Sequence, residues 1–279
     1  ETVDPEATYK KYIHQNSLTD YDLTLNFIGK NLEDKNVIIT PAQVDILLIL
    51  DCSTTMRERD GFLGLTGKTN LAYMKQAVAD LVSTIDGYTA KGDVDAKWSV
   101  VSFGSNASVD QDWIGTSSSV TAKVNSINIS AYTLEYTNYD DALTKAKNQL
   151  ARSRTTTAKQ FVIFLTDGSP DVKGSTRPTA FDLDTVKAYN AAISSASSLR
   201  TQGIVDKFYA IGMGSNMTDK SPLSKLQLSP YEILDNIAKA IDPTEKNAKA
   251  YTKNSDEIEN LFKDSIGKNI QETVIPRVT

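Results

Sequence analysis

The segment Val44–Asp51 (VDILLILD) limits the fold more than any other stretch of the chain. A strand with one wet face alternates apolar and polar residues. A nearly continuous apolar run implies burial on both faces, as in a parallel sheet roofed by helices. Lys159–Asp167 (KQFVIFLTD) is a second such run, and Ile204–Met213 reads as another strand. Amphipathic helices are expected between them. Over Thr69–Asp86 the residues Leu71, Met74, Ala77, Val78, Leu81, Val82 and Ile85 form one stripe, with Thr69 or Asn70 as the cap. Further helices are expected over Ser117–Ile127, Tyr139–Arg152, Asp182–Arg200, Tyr231–Ile241 and Ser255–Gln271, the last capped by Asn254 with Glu257 in the capping-box place. Ala96–Phe103 and Ser108–Ile114 read as a hairpin turning at Gly104–Ala107, and Lys249–Thr252 as the last strand.

The expected fold is α/β: a doubly wound, mostly parallel central sheet with helices on both faces and one antiparallel edge strand. This core domain spans 42–271. Residues 1–41 and 272–279 read as extended flanks. Within the first flank, Leu23, Leu25 and Phe27 alternate with Asp22, Thr24 and Asn26, so Tyr21–Ile28 is one half-buried strand.

Composition narrows the function. The 279 residues are 40% apolar, enough for a sizeable core. A net charge of −5 argues against the basic face that nucleic acid or anionic lipid requires. The longest apolar run is far short of the roughly 18 residues of a membrane helix, so no membrane insertion is expected. Cys52 is the single cysteine and His14 the single histidine. They exclude an intrachain disulfide, zinc sites of four cysteines or of two cysteines and two histidines, and any catalysis needing two histidines.

Open α/β sheets bind ligands beyond the carboxyl ends of their strands, where strand order reverses. After the first buried strand stand Asp51, Cys52, Ser53, Thr54 and Thr55. After the Lys159 strand stand Thr166, Asp167 and Gly168, and Thr137-Asn138 precede the Tyr139 helix. Two carboxylates and three hydroxyls, from Asp51, Ser53, Thr55, Thr137 and Asp167, therefore fall on one rim. Hard oxygen donors without His or Cys suit Mg²⁺, with Mn²⁺ or Ca²⁺ as alternatives, and two Asp charges balance a dication. Cys52 is expected to point away as a small buried residue. Gly61–Thr69 imitates a phosphate loop, but the Walker spacing requires glycine where Phe62 stands, so it reads as a flexible loop.

With these residues in place, the chain resembles the von Willebrand factor A domain, whose metal-ion-dependent adhesion site carries Asp-x-Ser-x-Ser after the first strand. It also has a threonine on a later loop and an Asp, often followed by Gly, after the fourth strand. Thr55 stands where serine is usual, which keeps the hydroxyl. The resemblance implies a Rossmann-like fold over about 230 residues, counted by element order and motif. It implies that Ser53, Thr55 and Thr137 bind the metal directly, and Asp51 and Asp167 directly or through water. One position stays open for an acidic side chain of a host or matrix protein. The Tyr/Thr/Asn-rich leader and the lack of disulfides resemble pilus and wall-anchored adhesins of Gram-positive surfaces, with other pilus subunits as further partners. No enzyme activity is expected. Three long rim loops, Met56–Lys68, Ser169–Phe181 and Gly214–Pro230, would shape the partner surface. By likeness to integrin inserted domains, the closing helix is expected to shift when ligand occupies the metal.

Two other readings stay open. In a haloacid-dehalogenase-like phosphohydrolase, Asp51 would be the nucleophile and Thr55 would match the motif, with Asp140-Asp141 or Asp167 as the acidic end. Ser53 then stands where that class needs its general acid. The other is a structural pilus subunit whose metal site does not function.

Overall fold

The computed structural model describes residues 8–15, 21–28, 40–59, 67–129, 136–154, 156–171, 183–220 and 226–274. The chain divides into two units, 1–39 and 40–279. In the first, β1 (Thr8–Gln15) and β2 (Tyr21–Ile28) pair antiparallel, Thr8 opposite Ile28 and Gln15 opposite Tyr21. The leader thus holds two strands, not one. TYKKYIHQ does not alternate apolar and polar residues, so no period-two signal marks β1.

The second unit contains β3 (Ala42–Asp51), β4 (Val94–Phe103), β5 (Ala107–Ile114), β6 (Lys159–Thr166), β7 (Lys207–Met213) and β8 (Ala248–Lys253). They form one six-stranded sheet in the order β5-β4-β3-β6-β7-β8, antiparallel at β4–β5 and parallel elsewhere. The chain leaves β3 toward β4 and later returns on the other side through β6. Strand order therefore reverses between the carboxyl ends of β3 and β6, which opens the crevice expected there.

Helices cover both faces. α1 (Asn70–Ala90) and α2 (Ser117–Ser126) pack with the closing helical segment over Ile46, Leu48, Ile163 and Ile211. α3 (Tyr139–Leu150), α4 (Leu183–Gln202) and α5 (Pro230–Ile241) pack over Leu47, Ile49, Phe164 and Phe208. Successive β3 residues serve the two layers in turn, and Ile46–Leu50 are fully buried, which accounts for the unbroken apolar run. Each such side chain contributes roughly 1.5–3 kcal/mol. Phe164 stacks on Phe103 at 5.1 Å and meets Tyr139 edge-on at 4.9 Å, forming an aromatic floor beneath the rim.

Several boundaries differ from expectation for local reasons. Thr69 is the α1 cap, its Oγ1 accepting from Ala72 N at 3.1 Å. β7 begins three residues later than read: Gly203 turns at φ +69°, and the Asp206 carboxylate accepts from Gln160 N at 2.8 Å. The closing helix is not one regular helix. After a 3₁₀ turn (Ser255–Glu257) it runs through α6 (Ile258–Asn260), a π-helical stretch (Leu261–Gly267) and α7 (Lys268–Val274). Ile258, Phe262, Ile266 and Ile270 are all buried and recur every four residues, a repeat that drifts about 40° per step on a 3.6-residue helix. The wider π turn takes up that drift. α7 also carries the helix three residues past Gln271, into the flank read as extended. Residues 60–66, 172–181 and 221–225 of the three rim loops, with Asp182 of the expected fourth helix and 275–279 of the tail, lie outside the described residues.

Gly212 lies in β7 where a Cβ would sit 2.3 Å from Met217 Cε and 3.2 Å from Leu234 Cδ1. The nearest atom is the flexible end of Met217, so Gly212→Ala is expected to destabilise the domain by only about 1 kcal/mol in denaturant unfolding. Adding Met217→Ala should recover part of that loss. Additive costs would show that the crowding lies elsewhere.

Candidate metal centre

Asp51 ends β3 and is fully buried. Its Oδ1 accepts from Ser53 N at 2.7 Å, and its Oδ2 accepts from Thr166 Oγ1 at 2.6 Å. The first bond turns the chain directly into the 3₁₀ turn Thr54–Arg57, placing Ser53 and Thr55 side by side. Ser53 Oγ lies 2.9 Å from Thr55 Oγ1, which donates to Asp167 Oδ1 at 2.7 Å. Asp167 follows β6, and its Oδ2 accepts from Asn70 Nδ2 at 2.9 Å. Four of the five expected residues are therefore joined by short hydrogen bonds across the β3–β6 crevice.

Thr137 stands on the neighbouring loop and is buried. Its carbonyl accepts from Asp171 N at 2.9 Å, and the next residue's N–H reaches Gly104 O at 2.8 Å. These bonds tie its loop to the segment after β6 and to the β4–β5 turn. Among the described residues no hydrogen bond links its hydroxyl to the other four. Cys52 points away as expected: it is 2% exposed and its Sγ–H faces Leu50 O.

Sequence reasoning missed three supporting residues. Thr166 was visible only as part of a strand end, yet it donates to Asp51. Tyr139 looked like an ordinary first helical residue. Its hydroxyl donates to Gly168 O at 2.6 Å and lies 3.1 Å from Thr166 Oγ1. Asn70 looked like a cap, but its amide lies on Asp167. The acidic pair considered for a phosphohydrolase is engaged elsewhere. Asp141 accepts from Ala107 N at 2.6 Å and Asp140 from Ser195 Oγ at 2.6 Å.

Burial pushes the Asp51 carboxyl above its ordinary value. Burial, then the nearby Asp51 charge, lifts Asp167 to about 7. Among the described residues neither carboxylate has an ammonium or guanidinium partner. Two buried acids that lack a cation, flanked by hydroxyl oxygens and no softer donor, have the composition of a hard-dication site. Asp51, Ser53, Thr55 and Asp167 have the donor chemistry of the group that the motif implies, with Thr137 buried on the adjoining loop.

Residues 46–169 match the family model of the von Willebrand factor type A domain. No curated protein matches the sequence significantly. Among solved structures, the chain is similar to the vWF domain of the type V pili tip protein Mfa5 from Porphyromonas gingivalis. That likeness has a TM-score of 0.57 and 14% identity over 86% of this chain and 99% of that one. It is similar to the pilus adhesin SpaC from Lactobacillus rhamnosus GG, with a TM-score of 0.62 and 17% identity. The match covers 97% of this chain and only 35% of SpaC. The PilB minor pilin from Streptococcus sanguinis gives a TM-score of 0.62 and 12% identity over 98% and 77% of the two chains. No helix among the described residues is long and apolar enough to cross a membrane. The strand order, the oxygen-lined crevice and these likenesses together establish the chain's resemblance to von Willebrand factor type A domains, those of pilus tip and adhesin proteins among them.

Proposed function

We propose that this domain is a cell-surface adhesion module. It engages a host or matrix protein through a divalent cation at the carboxyl rim of the sheet, as part of a bacterial pilus or wall-anchored adhesin outside the cell. The observation that carries this reading is the meeting of Asp51 and Asp167 with Ser53 and Thr55 in a crevice where, among the described residues, neither carboxylate is paired with a cationic side chain. Asp51, Ser53, Thr55, Thr137 and Asp167 would hold the ion, with Mg²⁺ as the best match and Mn²⁺ or Ca²⁺ also compatible. The bound cation supplies an electrophilic corner for a partner's carboxylate. The hydroxyls add no charge, so the two carboxylates leave the dication neutralised but unsaturated. The pilus proteins with the same fold support other pilus subunits as neighbours.

The same geometry favours a binding role over catalysis. Asp51 is fully buried with both oxygens already engaged, a poor position for attack on a phosphate ester. Calorimetric titration with Mg²⁺ and Mn²⁺ is expected to show one site, weakened about tenfold or more in Thr137→Ala. A wild-type protein that binds neither ion leaves only the structural-subunit reading. Turnover of a chromogenic phosphate ester, lost in Asp51→Asn, would replace adhesion by phosphohydrolysis.

The affinity is also expected to depend on pH. A carboxyl lifted to about 7 holds its proton at pH 6, and the ion must displace it. Binding should therefore weaken about tenfold from pH 8 to pH 6 and release a proton, measurable in buffers of different ionisation enthalpy. A flat profile across that window would contradict the assignment of Asp167 as a ligand.

A further inference from the structure

We infer that Asn70 and Ser255 are positioning residues for the cation: together they fix the Asp167 carboxylate. This rests on the metal reading above and extends it to residues outside the donor set. Asn70 is the first residue of α1 and is 7% exposed. Its backbone N–H is bonded to Glu58 O at 2.9 Å, so the side chain hangs from a fixed point. Its Nδ2 donates to Asp167 Oδ2 at 2.9 Å. Its Oδ1 accepts from Ser255 Oγ at 2.7 Å. Ser255 is 2% exposed and opens the 3₁₀ turn that leads into the closing helical segment. All three residues line one cleft of about 60 Å³ beside the candidate centre.

The polarity of this chain is not free. An ionised carboxylate only accepts, so the Asn70 amide must present its nitrogen to Asp167. Its oxygen then faces Ser255, and the serine hydroxyl must donate. Ser255 thereby holds the amide in the one orientation that serves Asp167. With Oδ2 occupied by a donor, Oδ1 is the oxygen left toward Thr55 and Ser53, on the side of the other ligand side chains. The donor is neutral, and this matters: a lysine or arginine would hold the carboxylate as well but would oppose an incoming dication. Outer partners that orient ligands commonly govern metal affinity by 10–100-fold.

Calorimetric titration of Mn²⁺ into wild type, Asn70→Ala, Ser255→Ala and Ser255→Thr tests this, with melting in excess chelator as the control for folding. Asn70→Ala is expected to weaken binding by about 10–100-fold and Ser255→Ala by about 3–10-fold. Ser255→Thr keeps the hydroxyl and should restore most of the affinity. A merely structural role would lower the chelated melting temperature and leave the Mn²⁺ affinity unchanged, and that result would overturn the inference. Should Asn70→Ala fail to fold, the Ser255 pair decides alone. A wild type that takes up no Mn²⁺ removes the metal reading and this inference with it. A wild type that binds, with Ser255→Ala indistinguishable from it, removes the inference only.

Discussion

Arg154→Met is expected to destabilise the domain by about 3–5 kcal/mol in denaturant unfolding, the largest stability loss foreseen for a single residue away from the rim. Asp45 is fully buried within β3, at the foot of the sheet. It is the charge that interrupts the apolar run Val44–Leu50, and Arg154 accounts for it. The Asp45 carboxylate accepts from Arg154 N at 2.7 Å and from Nε at 2.8 Å. The same guanidinium reaches the Asp95 carboxylate, Val44 O and Asp95 O. One side chain thus ties the foot of β3 to the foot of β4 and to the turn after α3. Methionine fills similar space but leaves Asp45 with one backbone donor and no counter-charge. Asp45→Asn added to Arg154→Met should recover part of the loss, because an amide tolerates burial better than a lone carboxylate. Equal stability of Arg154→Met and wild type would show that this network contributes nothing.

Asp51→Asn should produce opposite changes in stability and in metal affinity. The amide keeps the carboxylate's shape and can still accept from Ser53 N. Its Nδ2 would donate to Thr166 Oγ1, whose own hydrogen can turn to the Tyr139 oxygen 3.1 Å away. The buried charge disappears without an orphaned partner. In chelator the variant is expected to be more stable than wild type at pH 7.5, on the order of 1 kcal/mol. Its Mg²⁺ affinity should fall by about 100-fold or more, equivalent to about 3 kcal/mol. With cation at 100 times the wild-type dissociation constant, wild type gains about 2.7 kcal/mol and the ranking reverses. Thermal melts with and without Mg²⁺ read both effects. A variant less stable than wild type in chelator, or equally stabilised by Mg²⁺, would refute the assignment of Asp51 as a buried ligand.

How much of this was legible follows from which forces act locally. Ile46–Leu50 announced a doubly covered strand because burial on both faces leaves no room for alternation. The Asp51, Ser53, Thr55 cluster was legible because its spacing is local, set within a single turn. Asp167 and Thr137 followed from their place after a buried strand and before a helix. Thr166, Asn70 and Ser255 were not legible: their partners lie 115, 97 and 185 residues away, and no spacing rule spans such distances. Asp45 could be seen as an interruption of its run, but its partner Arg154 is 109 residues distant. The π stretch at Leu261–Gly267 hid behind an apolar pattern that an ordinary helix nearly satisfies. β1 escaped because hairpin pairing, and not its own periodicity, makes it a strand.

The lone thiol in the motif has a practical consequence. Cys52 is sealed at the end of β3, its N–H bonded to Phe103 O at 2.7 Å, and burial pushes its ionisation far up. Alkylating reagents and oxidants act on the thiolate, so the native protein offers them almost no target. A change from reducing to oxidising surroundings would leave its covalent state unaltered. Every labelling event must then wait for the sheet to part, which makes this sulfur a built-in clock for how often the domain opens.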